Sequence, residues 1–138
     1  MHPNSDEVIF ACRPNLLVDS VAVSLRFYAE VLGFRIGWRW SDPEARFLDD
    51  DEPDQPGTAL VGRDGVQILL TQNPGEHTTR LHLDVHTAEQ VDGLFQEWAD
   101  RGARVAEPPV VRPWGMYEMR LHDPDGNVLR VSAPATGR

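Results

Sequence analysis

The chain has 138 residues, one cysteine (Cys12), 13 Lys and Arg against 22 Asp and Glu, and a net charge of −9. That length suits a single domain that buries its own core without a disulfide staple, and the acidic balance repels phosphate backbones and so excludes nucleic acid as a partner. Apolar runs of a few residues, such as Ile9 to Cys12 and Ile68 to Leu70, exclude a membrane span, which needs about 20, and the polar, acidic start MHPNSDEV lacks the order of a secretion signal, so a cytoplasmic protein is expected.

Val8 to Val18 is apolar enough for a first strand. Ser20 to Gly33 then places Val21, Leu25, Tyr28 and Leu32 on one helical stripe, with Asp19 or Ser20 as N-cap and Gly33 as terminator. Phe34 to Trp40 alternates, which predicts a strand with Phe34, Ile36, Trp38 and Trp40 on one face. Between Leu48 and Pro56 the acids Asp49, Asp50, Asp51, Glu52 and Asp54 gather. Such a run reads as a solvated loop, or else as a rim that attracts cations. Thr58 to Val61 and Val66 to Thr71 flank Asp64-Gly65, a hairpin signal.

The second half repeats the order. Arg80 to His86 alternates, Thr87 with Gln90 forms a capping box, and Val91, Leu94, Phe95 and Trp98 stripe a helix that Gly102 ends. Ala103 to Ala106, Trp114 to His122 and Val128 to Ser132 follow as strands, with Asp123 to Asn127 as the last turn. Matching order, terminators and turns predict a duplicated unit. The expected fold is α+β over residues 1–138, with βαβββ modules of about 7–74 and 79–134. Each sheet takes a helix on one face and leaves the other to line a ligand groove.

Ser24, Phe27, Tyr28, Leu32, Gly33 and Phe34, followed by PWGMYEMRLHDPDGN from Pro113 to Asn127, resemble the vicinal oxygen chelate superfamily of glyoxalases, bleomycin resistance proteins and dioxygenases. The bleomycin resistance branch is the nearest resemblance, and Pro14 matches an early proline that this branch associates with arm exchange. The resemblance implies concave mixed sheets around a ligand groove and a homodimer. Catalytic branches hold a divalent metal through His and Glu at particular strand positions, which fall here on Arg13, Leu69, Arg80 and Arg130. Arginine and leucine offer no lone pair to a metal, so no metal and no other cofactor are expected. A two-residue slip brings His82 into play with Glu118 as companion, short of the usual three or four protein ligands. His77, His86 and His122 show no shared direction in sequence, and neither an activated cysteine nor a serine elbow is present.

Alternation places Arg80, His82 and Asp84 toward the groove, with Arg13, Asn15, Gln67, Leu69, Val128 and Arg130. Trp114, Met116 and Glu118 are expected to line the facing wall, Trp38 and Trp40 belong to groove or core, and Trp98 belongs to the core. The ligand-binding set is therefore Trp114, Glu118, Trp38, Trp40, Arg13, Arg80, His82 and Arg130. Those arginines meet either a ligand or internal carboxylates such as Asp84 and Glu118. The function expected is sequestration, without catalysis, of a bulky cationic or aromatic natural product such as a bleomycin-type antibiotic. A metal-dependent lyase, isomerase or dioxygenase using His82 and Glu118 is the alternative, and a metabolite-sensing domain a third.

Overall fold

One strand order occurs twice in the computed structural model, which describes residues 8–50, 52, 56–75 and 78–135. Asp51, Asp54, His77 and the start MHPNSDE lie outside the described residues. In the first half, β1 (Asn15–Val18), α1 (Val21–Arg26) and a π-helical turn (Phe27–Val31) precede β2 (Arg35–Ser41), β3 (Arg46–Phe47), β4 (Thr58–Arg63) and β5 (Val66–Gln72). The second half consists of β6 (Arg80–Asp84), α2 (Ala88–Asp100), β7 (Arg104–Val111), β8 (Met116–His122) and β9 (Val128–Pro134). The sheets run β1-β5-β4-β2-β3 and β6-β9-β8-β7. In both, the first strand lies parallel to the last and the remaining pairs are antiparallel.

Local chemistry explains the element ends. The Ser20 hydroxyl accepts from the Val23 amide at 3.3 Å, and Thr87 and Gln90 make the reciprocal capping box, each satisfying donors that a helix start leaves unpaired. The first helix widens into the π turn, closes with Leu32 N–H on the Phe27 carbonyl at 3.1 Å and stops at Gly33, φ 77°, a left-handed conformation that glycine adopts without strain. Asp64 and Gly65, at φ 51° and 84°, are the two left-handed residues of a tight hairpin turn.

Alternation decides what each sheet buries. Leu16, Val18, Ala59, Val61, Ile68 and Leu70 from the first sheet join Met119, Leu121, Leu129, Val131 and Ala133 from the second, beneath Val21, Leu25, Tyr28, Val91 and Trp98 of the helical segments, in one continuous core. Each fully buried Leu, Ile, Val or Met contributes roughly 1.5–3 kcal/mol. Helices cover this side of both sheets, so among the described residues the opposite side of each is a helix-free face.

The halves clasp each other reciprocally. From the first helical segment, the Tyr28 hydroxyl donates to buried Asp123 at 2.9 Å and the Ser24 hydroxyl to Asp125 at 3.3 Å, both in the β8–β9 turn. From α2, Glu97 accepts from Arg63 at 2.8 Å at the β4–β5 turn, and the Trp98 indole donates to the Leu32 carbonyl at 3.1 Å. Trp98 is core, as its stripe predicts.

Four expectations are corrected. Only Asn15–Val18 of the first strand pairs, against β5, while Val8, Ile9 and Phe10 are 91%, 84% and 81% exposed. Phe34 to Trp40 does not keep one face: the register passes from Ile36↔Val61 directly to Trp38↔Leu60, leaving Gly37 as an extra, bulged residue. The bulge inverts the alternation, so Phe34 enters the core and Trp38 and Trp40 share the helix-free face. Strand β8 begins at Met116, with Trp114 in the turn before it. Short β3 had no alternation to announce it, and β7 extends past Ala106 to Val111 as an edge strand whose register shifts accommodate Pro108 and Pro109.

Candidate functional site

On the first sheet, cross-strand register assembles a row of Trp38, Leu60, Leu69 and Asn15, and beside it Trp40, Thr58, Thr71 and Leu17. Directly paired residues share a face, so this helix-free surface is aromatic and aliphatic. Phe47, paired with Trp40 across β2 and β3, meets Trp40 and Trp38 edge to face at ring separations of 4.9 and 5.6 Å, the geometry that aromatic quadrupoles favour. Phe47 is 57% exposed, which gives the cluster an open side. Sequence reasoning missed Phe47 because its strand is two residues long.

The corresponding rows of the second sheet are His82, Arg130, Arg120 and Glu107, then Asp84, Ser132, Glu118 and Val110. Leu69 and Arg130 correspond, each standing four residues beyond its turn glycine, Gly65 or Gly126. Glu118 is 2% exposed. Its carboxylate accepts from Arg130 Nη2 at 3.0 Å on both oxygens and from Arg120 Nε at 3.2 Å, and Arg112 Nε lies 3.4 Å away. Glu107 in turn pairs with Arg112 at 2.5 Å and with Arg120 at 3.4 Å. The Arg112 guanidinium, through its hydrogen bond and then its charge, holds the Glu107 carboxyl below the ordinary glutamate range. Arg112, Arg120 and Glu107 were missed, although Arg120, two residues from Glu118 on one strand, was within reach of the alternation rule.

The sequence-derived set thus separates. Glu118 and Arg130 form an ion pair, while Arg80 and Arg130 line one recess of 180 Å³ with Glu107, Arg120, His122 and Val128. Trp38 and Trp40 come together on the other sheet. His82 lines a 430 Å³ cleft between the halves with Pro14, Phe34, Ile68, Leu83 and Trp98. Trp114 is 58% exposed and lines neither of these depressions nor the polar groove of 660 Å³ around Arg63 and Glu97. Arg13 is exposed and precedes β1. Of the open alternatives for the arginines, Arg130 takes the internal carboxylate.

Asp49 and Glu52 of the acidic run are held as well. Arg46 pairs with Glu52 at 2.9 Å and, chiefly through that hydrogen bond, holds its carboxyl below the ordinary glutamate range. Arg39 donates to the Glu52 carbonyl at 2.9 Å and to that of Asp49.

A divalent metal does not fit these residues. Glu118 is committed to three guanidinium groups, and an added cation would meet their charge in a low-dielectric place. Among the described residues, no three His, Cys, Asp or Glu side chains converge, and no helix is long and apolar enough to cross a membrane.

Compared with known families, residues 10–131 match Glyoxalase, described as the Glyoxalase/Bleomycin resistance protein/Dioxygenase superfamily. Among solved structures, the chain is similar to TioX from Micromonospora sp. ML1, at 16% identity and a TM-score of 0.70, covering 90% of this chain and 99% of that one. It is also similar to hypothetical protein SA1046 from S. aureus, at 25% identity and 0.61 over 92% and 99%. A glyoxalase/bleomycin resistance protein/dioxygenase from Nocardioides matches at 17% and 0.67 over 96% and 89%. No curated protein matches.

Proposed function

The chain belongs to the glyoxalase/bleomycin resistance protein/dioxygenase superfamily, and on that footing we propose that it is a cytoplasmic binding protein that sequesters a bleomycin-type or related natural product without changing a bond in it. The observation that carries this reading is the commitment of Glu118 to Arg130, Arg120 and Arg112. It removes the one carboxylate that a metal mechanism would have recruited beside His82. Catalytic members of such a fold need an open Lewis-acidic position, whereas this face offers fixed cations. The Trp38, Trp40 and Phe47 cluster supplies flat apolar surface for stacking a planar heteroaromatic.

Sequestration is proposed to involve a homodimer. Val8, Ile9 and Phe10, exposed at the start of the described chain, and β1 and β6, each paired on one side only, supply an apolar arm and unfilled sheet edges for exchange between copies.

Titration of the purified protein with bleomycin-class and other antibiotics, followed by tryptophan fluorescence, tests the assignment. Saturable quenching with recovery of unmodified drug is expected, and a broad panel without binding removes the antibiotic class. Stoichiometric Ni, Zn, Fe or Mn that survives dialysis, and is lost in His82→Ala, overturns the non-catalytic reading.

A further inference from the structure

Although the chain is acidic overall, the helix-free face of the second sheet carries an excess of arginine. Arg80, Arg112, Arg120 and Arg130 stand about two carboxylates, Glu107 and Glu118. Asp84, the other acid of these rows, lies four residues along β6 from Arg80, about 13 Å at strand rise. We propose that the 180 Å³ recess lined by Arg80, Arg120, Arg130 and His122, with Glu107 as its one carboxylate, seats an oxyanionic group, a carboxylate or phosphoryl, carried by the ligand. This deepens the binding-protein reading and rests on it.

Donor supply exceeds internal demand. Each guanidinium has five N–H donors. Arg120 and Arg130 place Nε, and Arg130 also Nη2, on Glu118, and Arg120 Nη1 lies 3.4 Å from Glu107, while Arg80 has no ion-pair partner among the described residues. Glu107 is the internal anion at the recess, paired with Arg112 and with Arg120 Nη1, and buried Glu118, outside the lining, fixes Arg120 and Arg130 before any ligand arrives. Such preorganised forks suit planar and tetrahedral oxyanions. A 180 Å³ recess is below the roughly 300–1,000 Å³ of a whole drug site, so it takes one group of a ligand whose remainder lies outside.

The test is titration of the full chain, with arginine side chains ¹⁵N-labelled, using inorganic phosphate and separately benzoate, at an ionic strength held constant with chloride. Saturable shifts of the Arg120 and Arg130 Nε–H signals are expected with at least one anion, and which one saturates tells a tetrahedral from a planar group. Arg80→Gln removes one exposed cation and leaves the Glu118 pairs intact. It is expected to weaken the saturating anion about tenfold, as loss of one charge-assisted contact does, while Arg26→Gln, on α1, leaves affinity unchanged. Shifts linear in both anions, or saturation unaltered by Arg80→Gln, overturn the proposal. Saturation by phosphate or benzoate without any antibiotic binding removes the antibiotic assignment alone, and antibiotic binding without anion saturation removes the anion seat alone.

Discussion

At equivalent places on two sheets of one strand order, the first half carries Leu69, Leu60 and Trp38, and the second carries Arg130, Arg120 and Glu107. The helix-covered faces remain alike, with Ile68 and Leu70 answering to Leu129 and Val131, because both must bury apolar surface beneath a helix. The helix-free faces carry no such obligation and have separated into an aromatic surface and a charged one. Fold is held by one side of each sheet, and ligand chemistry is free to differ on the other.

The clasps between the halves show a second contrast. Tyr28 and Asp123 meet in a fully buried place, whereas Arg63 and Glu97 retain 24% and 30% of their side-chain exposure. Burial, then the charge of Asp123, raises the Tyr28 hydroxyl well above the ordinary tyrosine value. Arg63, chiefly by its hydrogen bond, lowers Glu97 below the ordinary glutamate value of 4.5.

The sharpest break in the comparison is Glu118→Ala, which leaves the guanidiniums of the charged sheet without their shared carboxylate. A loss of about 3–5 kcal/mol in urea unfolding is expected, as for removal of one partner of a buried pair. Tyr28→Phe should cost about 1.5–3 kcal/mol, the range for a hydrogen bond to a charged group. The Tyr28 contribution is complete below pH 10 and is lost as pH rises above it, because the folded value is the raised one. Unfolding measured against pH should therefore lose part of its alkaline limb in Tyr28→Phe. Trp40→Ala opens the aromatic cluster and should weaken a stacking ligand about tenfold by fluorescence titration, the upper range for one aromatic pair, with little effect on phosphate or benzoate. The smallest effect belongs to Glu97→Gln, under about 1 kcal/mol for a partly exposed pair and diminished by salt. Its contribution is present above pH 4.5 and lost as pH falls below that, so the variant should show a shallower acid limb.

Much of the fold was legible because it is written locally. The Ser20 and Thr87 caps, the Gly33 and Gly102 terminators and the Asp64-Gly65 turn each act within a few residues, and the core stripes through Tyr28 and Trp98 come from helical period. Legibility failed where a single residue shifts the facing of its successors. Gly37 looked like an ordinary member of an alternating strand, yet its bulge separates Phe34 in the core from Trp38 and Trp40 on the open face. Within the candidate site, the tryptophans and the Glu118–Arg130 pair were nameable as types in a pattern. Phe47, Arg112 and Glu107 stand at a two-residue strand, a turn and an edge strand, where alternation carries little information.

The stretch from Pro113 to Asn127 divides along the same line. By itself the sequence determined a strand and a tight return, since Asp-Pro-Asp-Gly-Asn restricts the backbone wherever it stands, while it starts that strand at Trp114, which the structure places in a turn. Only the tertiary structure decided that Asp123 receives Tyr28 from the other half, that Trp114 remains exposed, and that Glu118 is shared among arginines from a turn and two strands. Charge pairing acts through space at a few ångströms and is indifferent to separation along the chain, so the partners of a buried carboxylate are set by strand register, which the packed core and its bulges establish.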